Sequence, residues 1–313
     1  MFIEDQERYK EFRLSQHTPE NLIPRERIDG LLESLSSLKG IELPGNKSEV
    51  GIFKKGLRNA MCGNPISIYI GSCPDYSQTN GKYNHRSLGE EVPLLSKLHL
   101  ESSLDALKIM DNFDVKYEMI LMVADVEAID EYFAERFTGG SEDEFIRRCE
   151  VSREKTSEAI EELKAKHDIS GIVRSSSFFQ EFGRTEFLRN MYSYQDALYR
   201  YYEQDPSFHF RVATDTLYRR ELYQKMYPER FLSRSDKEKK EPTFLEERTM
   251  RTMAQYLALG KLISEKTGNN AIINHPTVNK PVYNSRNVLR LLDDDPKKIH
   301  PTIPILQMTT SVY

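Results

Sequence analysis

The chain of 313 residues is 38% hydrophobic and 30% charged, which suits one large α/β domain or two small ones. Its net charge of −5 argues against a generally basic nucleic-acid binder. The three cysteines, Cys62, Cys73 and Cys149, form no CxxC pair, and the seven histidines are scattered, so we expect neither a disulfide framework nor a metal site.

The hydrophobic segments are too short to cross a membrane, because no run approaches eighteen apolar residues. The first residues, MFIEDQERYKEF, also lack the apolar core of a signal peptide. We therefore expect a cytosolic protein with no membrane partner.

The first half of the chain predicts a strand, a helix and a second strand. After a largely helical lead-in, the run ISIYIGS from Ile66 predicts a strand that ends abruptly. The segment PLLSKLHLESSLDALKIMDNF repeats apolar residues at helical spacing, and YEMILMVADVEA from Tyr117 predicts the next strand. This order is typical of a βαβ unit with a buried parallel sheet.

Apolar spacing and turn residues predict the rest of the chain. The polar run SRSDKEKKEP reads as a linker, and the segment after 285, with its prolines, reads as a tail that is wrapped on the surface or mobile. The predicted elements are helices over 142–167, 184–204, 206–227 and 243–267, and strands over 170–176 and 270–276.

The predicted fold class is α/β, a Rossmann-like parallel sheet with flanking helices. No internal repeat of 20–50 residues is visible. We divide the chain into an N-terminal lead-in (1–60), a Rossmann-like catalytic domain (61–285) and a C-terminal tail (286–313).

The turn GSCPDYS follows the first strand, at the edge where open parallel sheets bind ligands. It matches neither GxGxxG nor GxxxxGK[ST], and the chain lacks HIGH and KMSKS, so we expect no nucleotide cofactor. Ser72 stands where the strand breaks, which suits a nucleophile beside backbone N–H groups, although an ordinary turn serine has the same setting. Cys73 is intrinsically the stronger nucleophile, with a small buried filler as its alternative.

Four motifs occur in the order and spacing of the tRNA-dependent cyclodipeptide synthases, which the chain resembles over roughly 66–285. They are IGSCPDY after the first strand, LMVADVEA at the end of the second, a helical stretch leading into an acidic turn, and AQYLALGKLISEKTGNNAIINHPTVNKPVYNS. In that family the first motif is Gly-x-Ser-x-x-Asn, and a late helix and the strand after it each carry a tyrosine. The matching positions here are Gly71, Ser72, Asp75, Asp125, Tyr256 and Tyr283.

The resemblance implies a single Rossmann domain related to class I aminoacyl-tRNA synthetases, and a ping-pong reaction through an acyl-serine on Ser72. Two aminoacyl-tRNAs would be used in turn to make a diketopiperazine, with Tyr256 and Tyr283 orienting the amine and the proton. The ester of an aminoacyl-tRNA is already activated, so the resemblance implies no cofactor.

Departures from the family pattern leave alternatives open. The family's glutamate, four residues after the helix tyrosine, is Gly260 here, and the Ser72 turn has Pro-Asp in place of Gly-Asn before a longer loop. Substrate-binding carboxylates could instead come from Asp75, Asp125, Glu127 or Glu247, and the chain could be of the divergent fungal arginine-using type. The other readings are an aminoacyl-tRNA-dependent transferase to a small acceptor, and a non-catalytic module that binds tRNA or protein.

Positive charge is concentrated between Arg211 and Lys240, which contains nine Lys or Arg and five Asp or Glu residues. A local excess of this kind attracts a phosphate backbone, although an ordinary solvated face has the same pattern. Arg248 and Arg251 could extend it. The candidate tRNA-binding residues are Arg219, Arg220, Lys237, Lys239 and Lys240.

Overall fold

The computed structural model describes residues 23–38, 41–43, 47–72, 78–79, 82–83, 94–129, 134, 138–208, 212–213, 241–268, 270–278 and 305–310. Its main helices are α1 (Arg25–Ser36), α2 (Lys47–Met61), α3 (Leu94–Asn112), α4 (Glu142–Lys166), α5 (Phe178–Phe182), α6 (Arg184–Gln204) and α7 (Glu241–Thr267). Its strands are β1 (Ile41–Glu42), β2 (Ile66–Ser72), β3 (Gln78–Thr79), β4 (Lys82–Tyr83), β5 (Tyr117–Val123), β6 (Ile172–Ser177), β7 (Ala271–Val278) and β8 (Ile305–Thr310).

Six of these strands form one sheet in the order β1-β8-β7-β2-β5-β6. All neighbouring pairs are parallel except β1 and β8, which pair antiparallel at one edge. Counted along the chain from β2, the five parallel strands lie in the order 5-4-1-2-3, which is the Rossmann arrangement read from its other edge. The α/β fold class and the Rossmann-like sheet predicted from the sequence are therefore confirmed.

Alternate residues of β2 fill two cores on opposite faces of the sheet. Ile66, Ile68 and Ile70 are buried in the core that α1, α2 and α3 cover. Tyr69 is buried in the other core, with residues of β5, α6 and α7. Burial on both faces explains why the sequence of the central strands is so densely apolar.

Two described segments outside the predicted catalytic domain, one before it and one after it, are more closely joined to the sheet than the sequence indicates. Residues 305–310 form β8, which pairs with β7 in a register that sets Ile305 beside Ile273. The prediction of a tail that is wrapped on the surface or mobile is therefore wrong for this segment. In the predicted lead-in, Leu31 and Phe53 are fully buried in the core below β2. Most of the predicted helix at 206–227 and of the linker after it lies outside the described residues.

None of the helices in the described part of the chain combines the length and the apolar character that a membrane span requires.

Gly171 lies where the start of β6 packs against the ring of Tyr117. A Cβ atom at Gly171 would be 2.1 Å from the nearest ring carbon, far inside van der Waals contact. The ring cannot move aside easily, because Tyr117 is buried and its hydroxyl donates to Asp111 at 3.3 Å. The absence of a side chain is therefore a packing requirement at this position.

We predict that Gly171→Ala lowers the free energy of unfolding by about 3 kcal/mol, because an extra methyl group overpacks a rigid site. Gly51→Ala is the matched control. Gly51 lies in α2, the residues described leave open space at its Cβ position, and alanine there should stabilise the helix by about 0.5–1 kcal/mol. Urea denaturation followed by circular dichroism measures both changes, and equal stabilities of the two variants would contradict the prediction.

Candidate functional site

The carboxyl ends of β2, β5 and β6 meet at one edge of the sheet. Ser72 is in register with Val123, and Val123 is in register with Ser177. Beyond these residues the chain enters a 3-10 helix (Asp125–Ile129) after β5, and α5 directly after β6. The edge beside β2 is also the point at which the strand order reverses, which is where open α/β sheets bind their ligands.

The ladder between β2 and β7 ends short of this edge. The pairing of β2 with β7 ends at Ile70 and Asn274, whereas the pairing of β2 with β5 continues through Gly71 to Ser72. β7 meanwhile remains paired with β8 as far as Val278. The last two residues of β2 are therefore paired with β5 on one side and are no longer paired with β7 on the other.

Ser72 is the last residue of β2, as the sequence predicts. Gly71 before it is half-buried, and a Cβ atom there would lie at an ordinary contact distance of 3.8 Å from the ring of Phe178. Cys73 and Asp75 lie outside the described residues. The choice of Ser72 over Cys73 as nucleophile remains a prediction.

Asp125 is buried just beyond β5, with 3% of its surface exposed. The backbone N–H of Phe179 donates to its two carboxylate oxygens at 3.1 and 3.3 Å. Burial raises the pKa of Asp125 to about 6, although hydrogen bonds from Ser177 and from the backbone of α5 favour the charged form. The carboxylate therefore caps the start of α5, in addition to the substrate-binding role predicted from its position.

The start of α5 connects this carboxylate with the end of β2. The hydroxyl of Ser177 accepts a hydrogen bond from the backbone N–H of Gln180 at 3.2 Å and forms the N-cap of the helix. Phe178 then packs edge to face on Phe187 of α6, with ring centroids 5.6 Å apart, and lies beside Gly71. Asp125 thus fixes the element that borders the last residues of β2.

Glu127 is half-buried on the same 3-10 helix as Asp125. Its backbone N–H donates to the carbonyl of Ala124 at 3.2 Å, which closes the first turn after β5. The predicted substrate-binding pair is therefore placed at the carboxyl edge, with Asp125 inside and Glu127 closer to solvent.

Tyr256 and Gly260 are one turn apart on α7, and both are half-buried. Met253 and Leu257 belong to the buried side of the helix, and Tyr256 and Gly260 border that side. No heavy atom of the described residues lies within 4 Å of a Cβ atom built on Gly260, so the missing side chain leaves open space.

The remaining predicted site residues fall outside the described residues: Tyr283, Asp75, Arg219, Arg220, Lys237, Lys239 and Lys240. Arg248, which was expected to extend the basic surface, is 5% exposed and therefore cannot contribute to an exposed face. Arg251 is half-buried, and Glu247 is exposed on the same helix.

A buried ion-pair network was missed by the sequence analysis. Glu181 of α5, whose side chain is 4% exposed, accepts two hydrogen bonds from Arg174 of β6 at 2.8 and 2.9 Å and one from Lys266 of α7. Arg174 also donates to Glu118 of β5 at 2.6 Å. Burial alone would raise the pKa of Glu181, but the bonds from Arg174 and Lys266 outweigh it and lower that pKa to about 2. A signal was present in the sequence, because Arg174 is a charged residue within a predicted strand.

Among the residues that the structure describes, no group of three or more His, Cys, Asp or Glu side chains is placed to hold a metal ion.

Comparison of the chain with protein-family models gives no match, and comparison with curated proteins gives none either. Among solved structures, it is similar to the PvcA protein from Pseudomonas aeruginosa, with 14% identity, a TM-score of 0.49, and coverage of 80% of this chain and 78% of that one. It is also similar to tryptophanyl-tRNA synthetase from the archaeon Aeropyrum pernix, with 13% identity, a TM-score of 0.40, and coverage of 93% and 60% respectively.

The raised pKa of Asp125 predicts a specific dependence of stability on pH. The folded protein binds this proton up to a pH of about 6, whereas the unfolded chain releases it near 4, so the stability that protonation contributes is lost as pH rises through that window. Between pH 4.5 and pH 7.5 we expect the free energy of unfolding of the wild type to fall by about 2 kcal/mol relative to Asp125→Asn.

Denaturant titrations of both proteins across this pH range provide the measurement, and taking the difference removes the contribution of all other groups. Asp105→Asn, at an exposed position on α3, is the control and should keep the wild-type pH dependence. A constant difference between wild type and Asp125→Asn would show that Asp125 titrates as an exposed carboxylate does.

Proposed function

We propose that the protein is a cyclodipeptide synthase that makes a diketopiperazine from two aminoacyl-tRNAs through an acyl-serine on Ser72. The observation that carries the proposal is the position of Ser72, at the end of the central strand β2 and beyond the point where the ladder between β2 and β7 has ended. A nucleophile at this point of a Rossmann-like sheet faces the region where substrates of such folds bind.

The first half of the reaction forms the acyl-enzyme. The hydroxyl oxygen of Ser72 attacks the ester carbonyl of the first aminoacyl-tRNA, and the 3′ oxygen of the tRNA leaves with the proton. The energy of the ester is conserved in the new seryl ester, so this step requires no nucleotide.

The second half builds and closes the ring. The amine of the seryl-bound amino acid attacks the ester of the second aminoacyl-tRNA, which forms a dipeptidyl-serine and releases the second tRNA. The free amine of the dipeptide then attacks the seryl ester, so that the diketopiperazine leaves and Ser72 is restored. In this scheme Tyr256 and Tyr283 orient the amine and its proton, and Asp75, Asp125 and Glu127 are substrate-binding carboxylates.

The space at Gly260 supports a second candidate function. Gly260, one turn after the half-buried Tyr256, has no neighbour at its Cβ position among the described residues, which would leave room for an acceptor other than a second aminoacyl group. The alternative reaction is transfer of the amino acid from Ser72 to a small acceptor. The mass of the released product distinguishes the two reactions.

The tRNA would be held by the basic segment between Arg211 and Lys240, through Arg219, Arg220, Lys237, Lys239 and Lys240. A protein with a net charge of −5 needs such a local positive surface to bind a polyanion.

We predict that wild-type protein incubated with radiolabelled aminoacyl-tRNA retains label, and that Ser72→Ala abolishes it because the attacking oxygen is gone. Ser36→Ala, at an exposed position on α1, is the control and should label as the wild type does. Label that survives in Ser72→Ala but disappears in Cys73→Ala would move the nucleophile to the cysteine. Mass spectrometry of the medium of a bacterium expressing the protein tests for diketopiperazines.

We also predict that Tyr256→Phe folds, still acylates at Ser72, and releases product at least about tenfold more slowly, which corresponds to about 1.4 kcal/mol of lost transition-state stabilisation. The phenylalanine ring would keep the packing of the tyrosine ring against the core that α6 and α7 cover, and only the hydroxyl would be lost. Tyr192→Phe, at an exposed position on α6, is the matched control and should release product at the wild-type rate. If Tyr256→Phe releases product at the wild-type rate, the contribution of Tyr256 is limited to packing.

A further inference from the structure

A second cavity lies at the opposite, amino-terminal edge of the sheet. It has a volume of about 490 Å³ and is lined by residues from the start of β2 and β5, the last turn of α2 and the end of α7. Its lining includes the polar residues Ser67, Tyr69, Glu118, Lys266, Thr267 and Asn270. The cavity is on the face of the sheet that α5 and α7 cover, several residues along β2 from Ser72.

Two hydroxyl groups on β2 contribute to this cavity. Ser67 and Tyr69 are two residues apart on the strand, so their side chains project from the same face. Tyr69 is 1% exposed, and no hydrogen bond to either hydroxyl is formed by the residues that the structure describes. Ser67 is half-buried and neither hydroxyl oxygen is sealed from solvent, so both border the open space of the cavity. Both hydroxyls are therefore available to a polar molecule that binds there.

The hydroxyl of Tyr69 is available as a donor. Burial, together with the nearby carboxylates of Glu181 and Glu118, raises the pKa of Tyr69 well above its ordinary value. The proton is therefore retained at neutral pH, and a ligand that reaches this hydroxyl meets an O–H group that can donate or accept.

The charged groups at the cavity have opposite signs. Glu118 is in register with Ser67, and Arg174 binds its Oε1 atom at 2.6 Å, while no hydrogen bond to its other oxygen is formed within the described residues. Lys266 lines the same cavity from α7 and is about half exposed, so its ammonium can reach solvent and a ligand while it contacts Glu181. A carboxylate and an ammonium that line one small cavity complement a zwitterion.

Backbone carbonyl groups at the ends of two helices add partial negative charge near the cavity. α7 ends at Thr267, so the partial negative charge of a helix C-terminus faces this region, and α2 ends close by at Met61. Asn270 donates both of its amide hydrogens, to the carbonyls of Asn64 at 3.1 Å and Pro65 at 2.8 Å, and its Oδ1 has no partner among the described residues. The buried Oδ1 lies next to Gly56 of α2 rather than in the cavity, so the carbonyls at the ends of the two helices are the acceptors that favour a ligand with N–H donors.

We propose that this cavity binds a free α-amino acid, with the ammonium group toward Glu118 and the C-terminal end of α7, and the carboxylate toward Lys266. The hydroxyls of Ser67 and Tyr69 then pair with the polar atoms of the ligand, and the lining favours a polar side chain. This site is separate from the carboxyl edge where Ser72 ends β2, and it does not depend on the proposed reaction of aminoacyl-tRNA.

L-Glutamine is the probe in an isothermal titration of the full chain. Its matched half-ligands are 4-aminobutanamide, which lacks the carboxylate, and glutaramate, which lacks the amine. We expect saturable binding of L-glutamine below about 10 mM, and binding of each half-ligand at least about tenfold weaker, because each loses one charge-assisted contact.

Two variants that keep the fold test the hydroxyls. Tyr69→Phe retains the buried ring, Ser67→Ala removes the half-buried hydroxyl, and each should weaken L-glutamine binding about fivefold. Tyr192→Phe is the matched control and should bind as the wild type does. Circular dichroism establishes folding, and if Tyr69→Phe does not fold, Ser67→Ala decides the result.

The proposal is overturned if no saturable binding of L-glutamine is observed up to about 10 mM, or if either half-ligand binds as tightly as the amino acid. It is also overturned if the folded hydroxyl variants bind L-glutamine with wild-type affinity. Because the titration measures binding without tRNA, its failure is distinguishable from failure of the acylation experiment.

Discussion

The buried carboxylate of Glu181 is the constraint on which one face of the molecule depends. An isolated carboxylate that is 4% exposed would cost several kcal/mol, so the fold must provide cations for it. Arg174 of β6 donates two hydrogen bonds to this carboxylate, and Lys266 of α7 provides a second cation. Through Glu181 the five-residue α5 is joined to β6, where Arg174 lies seven residues earlier in the chain, and to the 27-residue α7, where Lys266 lies 85 residues later.

The ion pairs of Glu181 help to position residues at both ends of the strands. Toward the carboxyl edge, α5 carries Phe178 to a position beside Gly71, one residue before Ser72. Toward the amino edge, Lys266 and Glu118, which belong to the same network, line the second cavity. A change in the ion pairs would therefore displace the borders of both regions, even though they lie at opposite ends of β2.

The sequence was most informative where local pattern and burial agree. β2, α4 and α6 occur within one or two residues of their predicted bounds, because apolar runs and helical spacing directly reflect which side chains the sheet and its helices bury. β5 begins at Tyr117 as predicted but ends at Val123, because the residues after Ala124 form a 3-10 helix. The end of β2 at Ser72 was predictable for the same reason. β8 was not, because its six residues pair with β7, which lies far from it along the chain, and short strands depend on their partners.

Contacts between segments that are distant along the chain could not be predicted from the sequence. Asp125 was recognised as a carboxylate at a strand end, but its acceptance of the Phe179 N–H depends on a short helix that has no periodic pattern. The network of Glu181 joins residues from four elements, and only Arg174, a charged residue within a predicted strand, gave a local signal. Packing of α7 likewise determined that Tyr256 and Gly260 border the buried side of the helix rather than lie within it.

The unequal pairing of β2 holds its last residues on one side and separates them from the neighbouring strand on the other. Gly71 and Ser72 continue the ladder with β5, so the backbone at the edge is held in place. The ladder with β7 has already ended at Ile70, and β7 follows β8 instead. The reversal in strand order therefore parts β2 from β7 at the position where open α/β sheets bind their ligands, while β5 fixes the backbone of the same two residues.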